Sequence, residues 1–179
     1  MKQVMLVLFL AHFICNASND DSIAKLNMIK SQKKESNSGG GNKTEKEPCV
    51  NIRKTIDDFT GEITFIFSDK GNQISFIKYI KNGVTDYYVS ISIKENGIYT
   101  GKGVYFILMN GKKINKPNED VDYDYNDGFY TSAFFKLSKQ DIEMFKESPI
   151  DRFKAYISEG ATFEPEETFN KFKCLLNKK

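Results

Sequence analysis

The stretch YYVSISIK, residues 87–94, decides the fold of this chain. Its apolar residues recur at every second position, at Val89, Ile91 and Ile93, and the residues between them are serine or lysine. In an extended backbone, alternate side chains point to opposite sides. An apolar side facing a core and a polar side facing water is typical of an antiparallel strand. The stretch therefore predicts a half-buried strand of an antiparallel sheet.

Extended patterns recur on both sides of this strand. We predict further strands at residues 61–67, 74–81, 104–109, 129–135 and 151–157. Turn sequences rich in Asn and Gly separate them, at 69–72, 82–83, 96–97, 110–111 and 126–128. Asn-Gly pairs favour tight hairpins, so the sequence predicts about six strands linked locally in a meander. The run 104–109 is apolar throughout, which predicts a central strand covered on both faces.

Two helices are expected in the C-terminal third of the chain. Ser138 and Asp141 have the spacing of a capping box, with Asp in place of Glu, and Pro149 limits the helix that follows. Pro165 is placed to start a second helix. The residues expected to pack this helix on the sheet are Phe169, Phe172 and Leu176. The predicted fold class is thus α+β: a mainly antiparallel sheet, curled into a sandwich or partial barrel, with a C-terminal helix packed on it.

The N-terminal region has a different composition. Residues 1–17 contain an early lysine, an apolar run and a small residue, Ala17, at the end, which is the pattern of a secretory signal peptide. Residues 18–48 are rich in Lys, Ser, Asn, Glu and Gly and predict a disordered linker. Residues 49–179 then form a single β-rich domain. The expected location is secreted or periplasmic. The alternative is a lipid anchor at Cys15, which would be the protein's only link to a membrane.

Cleavage after residue 17 would remove Cys15 and His12, the only histidine. The two remaining cysteines, Cys49 and Cys174, stand at the start of the domain and on its last helix. In an exported chain such a pair most simply forms a disulfide. Two unpaired buried thiols are the alternative, and two cysteines without histidine supply only half of a zinc site.

Charge and composition exclude several functions. The formal charge of the chain is +2, and cleavage removes Lys2 and no acidic residue, which leaves +1. A nearly neutral chain gives no support for nucleic-acid binding. Without histidine, no Ser-His or Cys-His catalytic pair can form. No cofactor motif is present, so no cofactor is expected.

Two groups of acidic residues are candidate sites. Asp120, Asp122 and Asp124 suggest a weak calcium site, although their spacing does not fit an EF-hand. The alternative is an edge strand whose carboxylates face solvent and which runs into the Asn-Asp-Gly turn. A small exported hydrolase is a further possibility, with Glu62 or the aspartate cluster at residues 120–124 as its candidate carboxylates.

Tyrosines are numerous enough that some are expected at the surface. They combine apolar area with a polar tip, which suits recognition, and they are also ordinary strand residues. The tyrosines considered are Tyr79, Tyr87, Tyr88, Tyr99, Tyr123, Tyr125 and Tyr130.

The signal-like start, the linker and the segment FTGE at residues 59–62 resemble small exported β-rich proteins of Gram-negative bacteria. This resemblance implies an exported location and brings no known activity, so no functional residue is carried over. The sequence favours an exported, non-enzymatic binding or interaction module with a protein or small-ligand partner outside the cytoplasm. The alternatives are a carboxylate-dependent hydrolase and a calcium-stabilised structural domain.

Overall fold

A computed structural model describes residues 49–125 and 127–179; the predicted signal peptide and linker lie outside these residues. The strands are β1 (Arg53–Ile56), β2 (Ile63–Ser68), β3 (Ile74–Lys81), β4 (Val84–Glu95), β5 (Gly101–Leu108), β6 (Lys113–Tyr125), β7 (Phe129–Lys136), β8 (Ile150–Ala155) and β9 (Ser158–Ala161). The helices are α1 (Lys139–Glu147) and α2 (Pro165–Asn177). Within the described part, no helix is long and apolar enough to span a membrane.

The strands form one antiparallel sheet, curved into a half-barrel, in the order β1-β2-β3-β4-β7-β6-β5-β8-β9. This confirms the predicted α+β class and the antiparallel sheet. The predicted simple meander is wrong, because β4 pairs with β7 and not with β5. The chain crosses from β4 to the far side of β6 and returns through two hairpins, which is a Greek-key arrangement.

The described residues form nine strands, where about six were predicted. The additional strands are β1, β6 and β9. Strands β1 and β9 have four residues each, and β6 is largely polar and contains Pro117, so the apolar pattern of all three is weak. The acidic stretch expected at a sheet edge lies in β6: residues up to Val121 pair with β5, whereas residues 121–125 pair with β7.

The apolar strand at 104–109 is covered on one face only, contrary to prediction. Val104, Phe106 and Leu108 are buried, whereas Tyr105 and Met109 are 38% and 58% exposed. Both helices contribute buried side chains to the concave face of the sheet, where they join a single hydrophobic core. The convex face therefore has to accept apolar residues without a second layer among the described elements.

Helix α1 begins as predicted. The Ser138 side chain accepts a hydrogen bond from the Asp141 backbone, and the Asp141 carboxylate accepts one from the Ser138 backbone at 2.8 Å. The stripe predicted for α2 is displaced by a fraction of a turn. Phe172 is buried as expected, together with Leu175, whereas Phe169 and Leu176 lie at the flanks of the contact and are half-buried.

Two contacts attach the C-terminal half of α2 to the sheet and to the start of the domain. The predicted disulfide between Cys49 and Cys174 is present, with the Cα atoms 5.4 Å apart. The Lys78 ammonium, buried under the helix, donates to the backbone carbonyls of Leu176 at 2.8 Å and Lys178 at 2.7 Å. The last carbonyls of a helix lack partners within it and carry partial negative charge, so a cation there stabilises the helix end.

A buried carboxylate joins the two ends of the curved sheet. Asp69, in the turn between β2 and β3, accepts hydrogen bonds from the backbone N–H groups of Gln73 and Ile74, at 2.8 and 3.1 Å. Its other oxygen accepts from Phe163, which follows β9, at 3.1 Å. Ser158 on β9 likewise donates to Thr131 on β7 at 2.9 Å. The half-barrel is therefore held in its curved form by polar contacts as well as by its core.

An ion-pair cluster secures the first turns of α2. The Glu167 carboxylate lies 2.8 Å from the buried ammonium of Lys171 and 3.4 Å from the exposed ammonium of Lys70. Lys70 also pairs with Glu164. Hydrogen bonding with Glu164 and then with Lys171 lowers the pKa of Glu167 from 4.5 to about 2. The ionised carboxylate is therefore favoured in the folded state.

We expect the Glu167 cluster to make stability depend on acid pH. Because the folded pKa lies below the unfolded one, Glu167 contributes stability above pH 4.5 and loses it as the pH falls toward 2. After allowance for partial exposure, about 1–2 kcal/mol should be lost over this window. Urea unfolding of wild type and Glu167→Gln at pH 6, 4, 3 and 2 measures the effect. The difference between the two proteins should shrink with falling pH, and a constant difference would contradict the assignment.

Candidate binding surface

The β6–β7 hairpin extends beyond the part of the sheet that the core covers. Val121 and Ala133 are paired across the two strands and buried on the concave face. Two and four residues further along the same face of β6 are Tyr123 and Tyr125, which are 47% and 68% exposed. Phe129 pairs with Tyr125 in register, and their ring centroids are 5.3 Å apart. The core-facing side of the hairpin thus ends in aromatic rings that are open to solvent.

Tyr156 adds a ring to this end of the sheet. It lies in the turn between β8 and β9 with φ of 54°, and its N–H donates to the Gly103 carbonyl at 2.8 Å. Its ring occupies the space beside Gly101, where a Cβ atom would be 2.5 Å away. Gly101 pairs with Val121, so the Tyr156 ring lies on the concave face near Val121. On that face of β6, Val121 directly precedes Tyr123. Only glycine at position 101 permits this close approach.

We call Tyr123, Tyr125, Phe129 and Tyr156 the aromatic end surface. Tyr123 and Tyr125 were among the tyrosines considered from the sequence, but nothing singled them out. Phe129 and Tyr156 were missed. The signal available for Tyr156 was the pair of glycines at 101 and 103, which marks a close approach of another group to a strand.

The predicted calcium residues lie on the other face of the same hairpin. Asp120, Asp122 and Asp124 alternate with the tyrosines, and residues two apart along a strand are about 6.6 Å from each other. Asp120 pairs with Lys102 at 2.5 Å, and Asp122 accepts from the Tyr123 backbone at 2.8 Å. The described residues contain no group of three His, Cys, Asp or Glu side chains placed to hold a metal ion. The three aspartates therefore lie in a row along β6 and do not converge on one point.

The hairpin is strongly acidic as a whole. Residues 117–130 contain five acidic residues and no lysine or arginine. Among the described residues, three cations approach it: Lys102 of β5 pairs with Asp120, Lys116 of β6 acts on Glu119, and the Lys94 ammonium lies 6.0 Å from the centroid of the Tyr130 ring. The β6–β7 hairpin is thinner than the electrostatic screening length of about 8–10 Å. The negative potential of its carboxylates therefore extends to its aromatic face.

Glu62, the hydrolase candidate, lies at the opposite end of the sheet, where β2 begins. Its carboxylate pairs with the Lys81 ammonium at 2.5 Å and accepts a hydrogen bond from the Tyr79 hydroxyl. The hydrogen bond with Lys81, and then that with Tyr79, lower the pKa of Glu62. A general acid needs the opposite shift, and the Lys81 and Tyr79 contacts already occupy both carboxylate oxygens.

Two further carboxyl groups, those of Glu119 and Asp141, have pKa values shifted in opposite directions. Burial raises the pKa of Glu119. Burial also acts on Asp141, but hydrogen bonds with Lys116 and Ser138 outweigh it and lower the pKa of Asp141. Opposite shifts can mark an acid–base pair. Asp141 is nevertheless 5% exposed, caps helix α1 and pairs with Lys116 at 2.5 Å, which accounts for its shift structurally.

The cavity between α1, α2 and the start of β8 is too small for a ligand. Its volume is about 10 Å³, which is about that of one water molecule. Its lining is Phe76, Phe145, Ser148, Pro149, Ile150, Thr168, Phe169 and Phe172, which includes no carboxylate.

The remaining tyrosines have local roles. Tyr87 packs against the core, where its ring lies 5.5 Å from the Lys78 ammonium. The Tyr88 ring stacks on Phe134, with centroids 5.2 Å apart. Tyr130 donates to Asp127 at 3.1 Å, and Tyr99 lies in the loop between β4 and β5.

No protein-family model, curated protein or solved structure matches this chain. Its function is therefore inferred from the surfaces described above.

Proposed function

We propose that this protein is an exported binding module that recognises its partner through the aromatic end surface. The observation that carries the proposal is the exposure of Tyr123 and Tyr125 on the face of the sheet that is otherwise core. Exposed aromatic residues in a contiguous group are typical of recognition surfaces, since they bury a large area with little loss of side-chain entropy. The pairing of β6 with β7 and the Tyr156–Gly101 contact position the rings before a partner binds.

The disulfide supports an exported location for the domain. Bonds of this kind persist in oxidising compartments, and the pattern of residues 1–17 supports a secreted or periplasmic destination. Processing after Ala17 and lipidation at Cys15 remain the two alternatives for the N-terminus. The intact mass of the protein from its native host distinguishes them, because acyl groups at Cys15 add several hundred daltons.

The hydrolase and calcium alternatives receive less support. Glu62 and the aspartates of β6 face away from the concave side. The Glu62 carboxylate pairs with Lys81, and the Asp122 carboxylate accepts a hydrogen bond from the Tyr123 backbone. A hydrolase of this type needs two carboxyls facing one cleft at a set separation.

Site-specific photo-cross-linking tests the binding proposal. Benzoylphenylalanine at position 125 should form a defined adduct in the external medium of the native host, and unlabelled wild-type domain should compete for it. The matched control is the same probe at Tyr105, a 38% exposed tyrosine on the convex face of β5. When the double variant Tyr123→Ser/Tyr125→Ser is used as the competitor, about ten times more of it should be needed to suppress the adduct than of the wild-type domain. Equal adducts at both positions, or equal competition by the variant, would contradict the proposal.

A further inference from the structure

Among the strands that the structure describes, the end of β6 has a neighbour on one side only. Strand β5 begins at Gly101, opposite Val121, so residues 122–125 pair with β7 and extend past β5. In the part of the chain that the structure describes, no backbone hydrogen bond joins the β4–β5 loop to residues 122–125. This is a short open sheet edge, which is a template for an additional strand.

The backbone of Tyr123 faces this open edge. The Asp122 carbonyl points toward β7, where the Ser132 hydroxyl lies 3.4 Å away. Backbone groups of successive strand residues point in opposite directions, so those of Tyr123 and Tyr125 point outward. The Tyr123 N–H donates instead to the Asp122 carboxylate at 2.8 Å. A side chain of the hairpin thus occupies the position that the carbonyl of an added strand would take.

From this geometry we propose that an extended, basic segment of a partner protein adds to the edge of β6 at residues 122–125. The inference rests on the binding function proposed above and names the partner's chemistry. Added strands alternate their side chains between the two faces of the sheet. On one face they meet Tyr123 and Tyr125, and on the other they meet Asp122 and Asp124. The complementary segment therefore alternates apolar residues with lysine or arginine.

Charge selects this occupant over a second copy of the chain. Pairing of two β6 edges would bring the aspartates of one hairpin next to those of the other, and like charges side by side destabilise a sheet. A cationic segment removes this repulsion. It also compensates Asp122, whose carboxylate is released when a partner carbonyl accepts the Tyr123 N–H.

The test uses the full exported chain and the acetylated, amidated peptide Lys-Val-Lys-Val-Lys-Val-Lys, with affinity measured by calorimetry at two salt concentrations. One control peptide replaces Lys by Glu. A second carries N-methyl groups on alternate residues, which prevents strand addition at unchanged charge. We expect the Glu peptide to bind at least about 100-fold more weakly and the N-methylated peptide about 10-fold more weakly. Added salt should lower the affinity of the protein for the parent peptide.

Variants of the protein complete the test. Asp122→Asn/Asp124→Asn keeps an acceptor for the Tyr123 N–H and should reduce affinity about tenfold and reduce its salt dependence. Asp151→Asn, an exposed acidic residue of β8, is the control and should bind as wild type. No binding at millimolar peptide, or equal binding of the parent and N-methylated peptides, overturns the strand-addition inference. If the adduct at position 125 persists in that case, the binding surface stands and only its proposed ligand is wrong.

Discussion

Replacement of Cys49 and Cys174 by serine is expected to lower the free energy of unfolding by about 5 kcal/mol. The disulfide joins residues separated by 125 positions and so closes almost the whole domain into one loop. A loop of this length restricts the unfolded chain strongly, and its removal releases that entropy. Since a domain is stable by only about 5–15 kcal/mol, the variant should be close to unfolded at physiological temperature. Guanidinium unfolding with and without a reductant measures the loss.

The bond's position adds a structural consequence. Cys174 lies in α2, whose Phe172 and Leu175 fill the concave face of the sheet. The single variants Cys49→Ser and Cys174→Ser should match the double variant and reduced wild type. If reduction leaves the unfolding midpoint unchanged while the single variants lose stability, the serine substitutions and not the lost bond are responsible.

The substitution Phe76→Ala is expected to lower the free energy of unfolding by about 3–5 kcal/mol. Phe76 lies on β3, is 2% exposed, and contacts rings from both helices and from β2. Its ring centroid is 4.7 Å from that of Phe172 and 5.5 Å from those of Phe67 and Phe145. Truncation would leave a cavity where sheet and helices meet, and close packing prevents the neighbours from filling it. Urea or thermal unfolding measures the loss.

Phe59→Ala is the matched control for Phe76. Phe59 is fully exposed in the turn between β1 and β2, where its N–H donates to Asp57 at 2.9 Å and its ring is not part of the core. The same truncation there should change stability by less than about 0.5 kcal/mol. Similar losses at both positions would show that the packing around Phe76 does not determine stability.

Local features of the sequence were sufficient to place most elements. Strand β3 has the limits that its alternating pattern predicts, at residues 74–81, and α1 begins at the predicted capping box. The Asn82-Gly83 hairpin joins β3 to β4 with both residues at positive φ, as such pairs favour. Each of these features depends on residues a few positions apart. The disulfide could be inferred because only two cysteines remain after the predicted cleavage.

The order of strands and the aromatic end surface were decided by the tertiary structure. The pairing of β4 with β7 depends on contacts between residues about 40 positions apart, which local periodicity does not encode. The open edge of β6 exists because β5 starts opposite Val121, and the Tyr156 ring reaches Gly101, the partner of Val121, from a turn 31 residues beyond Tyr125. Sequence alone therefore determined most of the segments that form strands and helices, since their formation depends on neighbouring residues. Which side chains meet at a surface depends on long-range pairing, so only the folded chain could identify them.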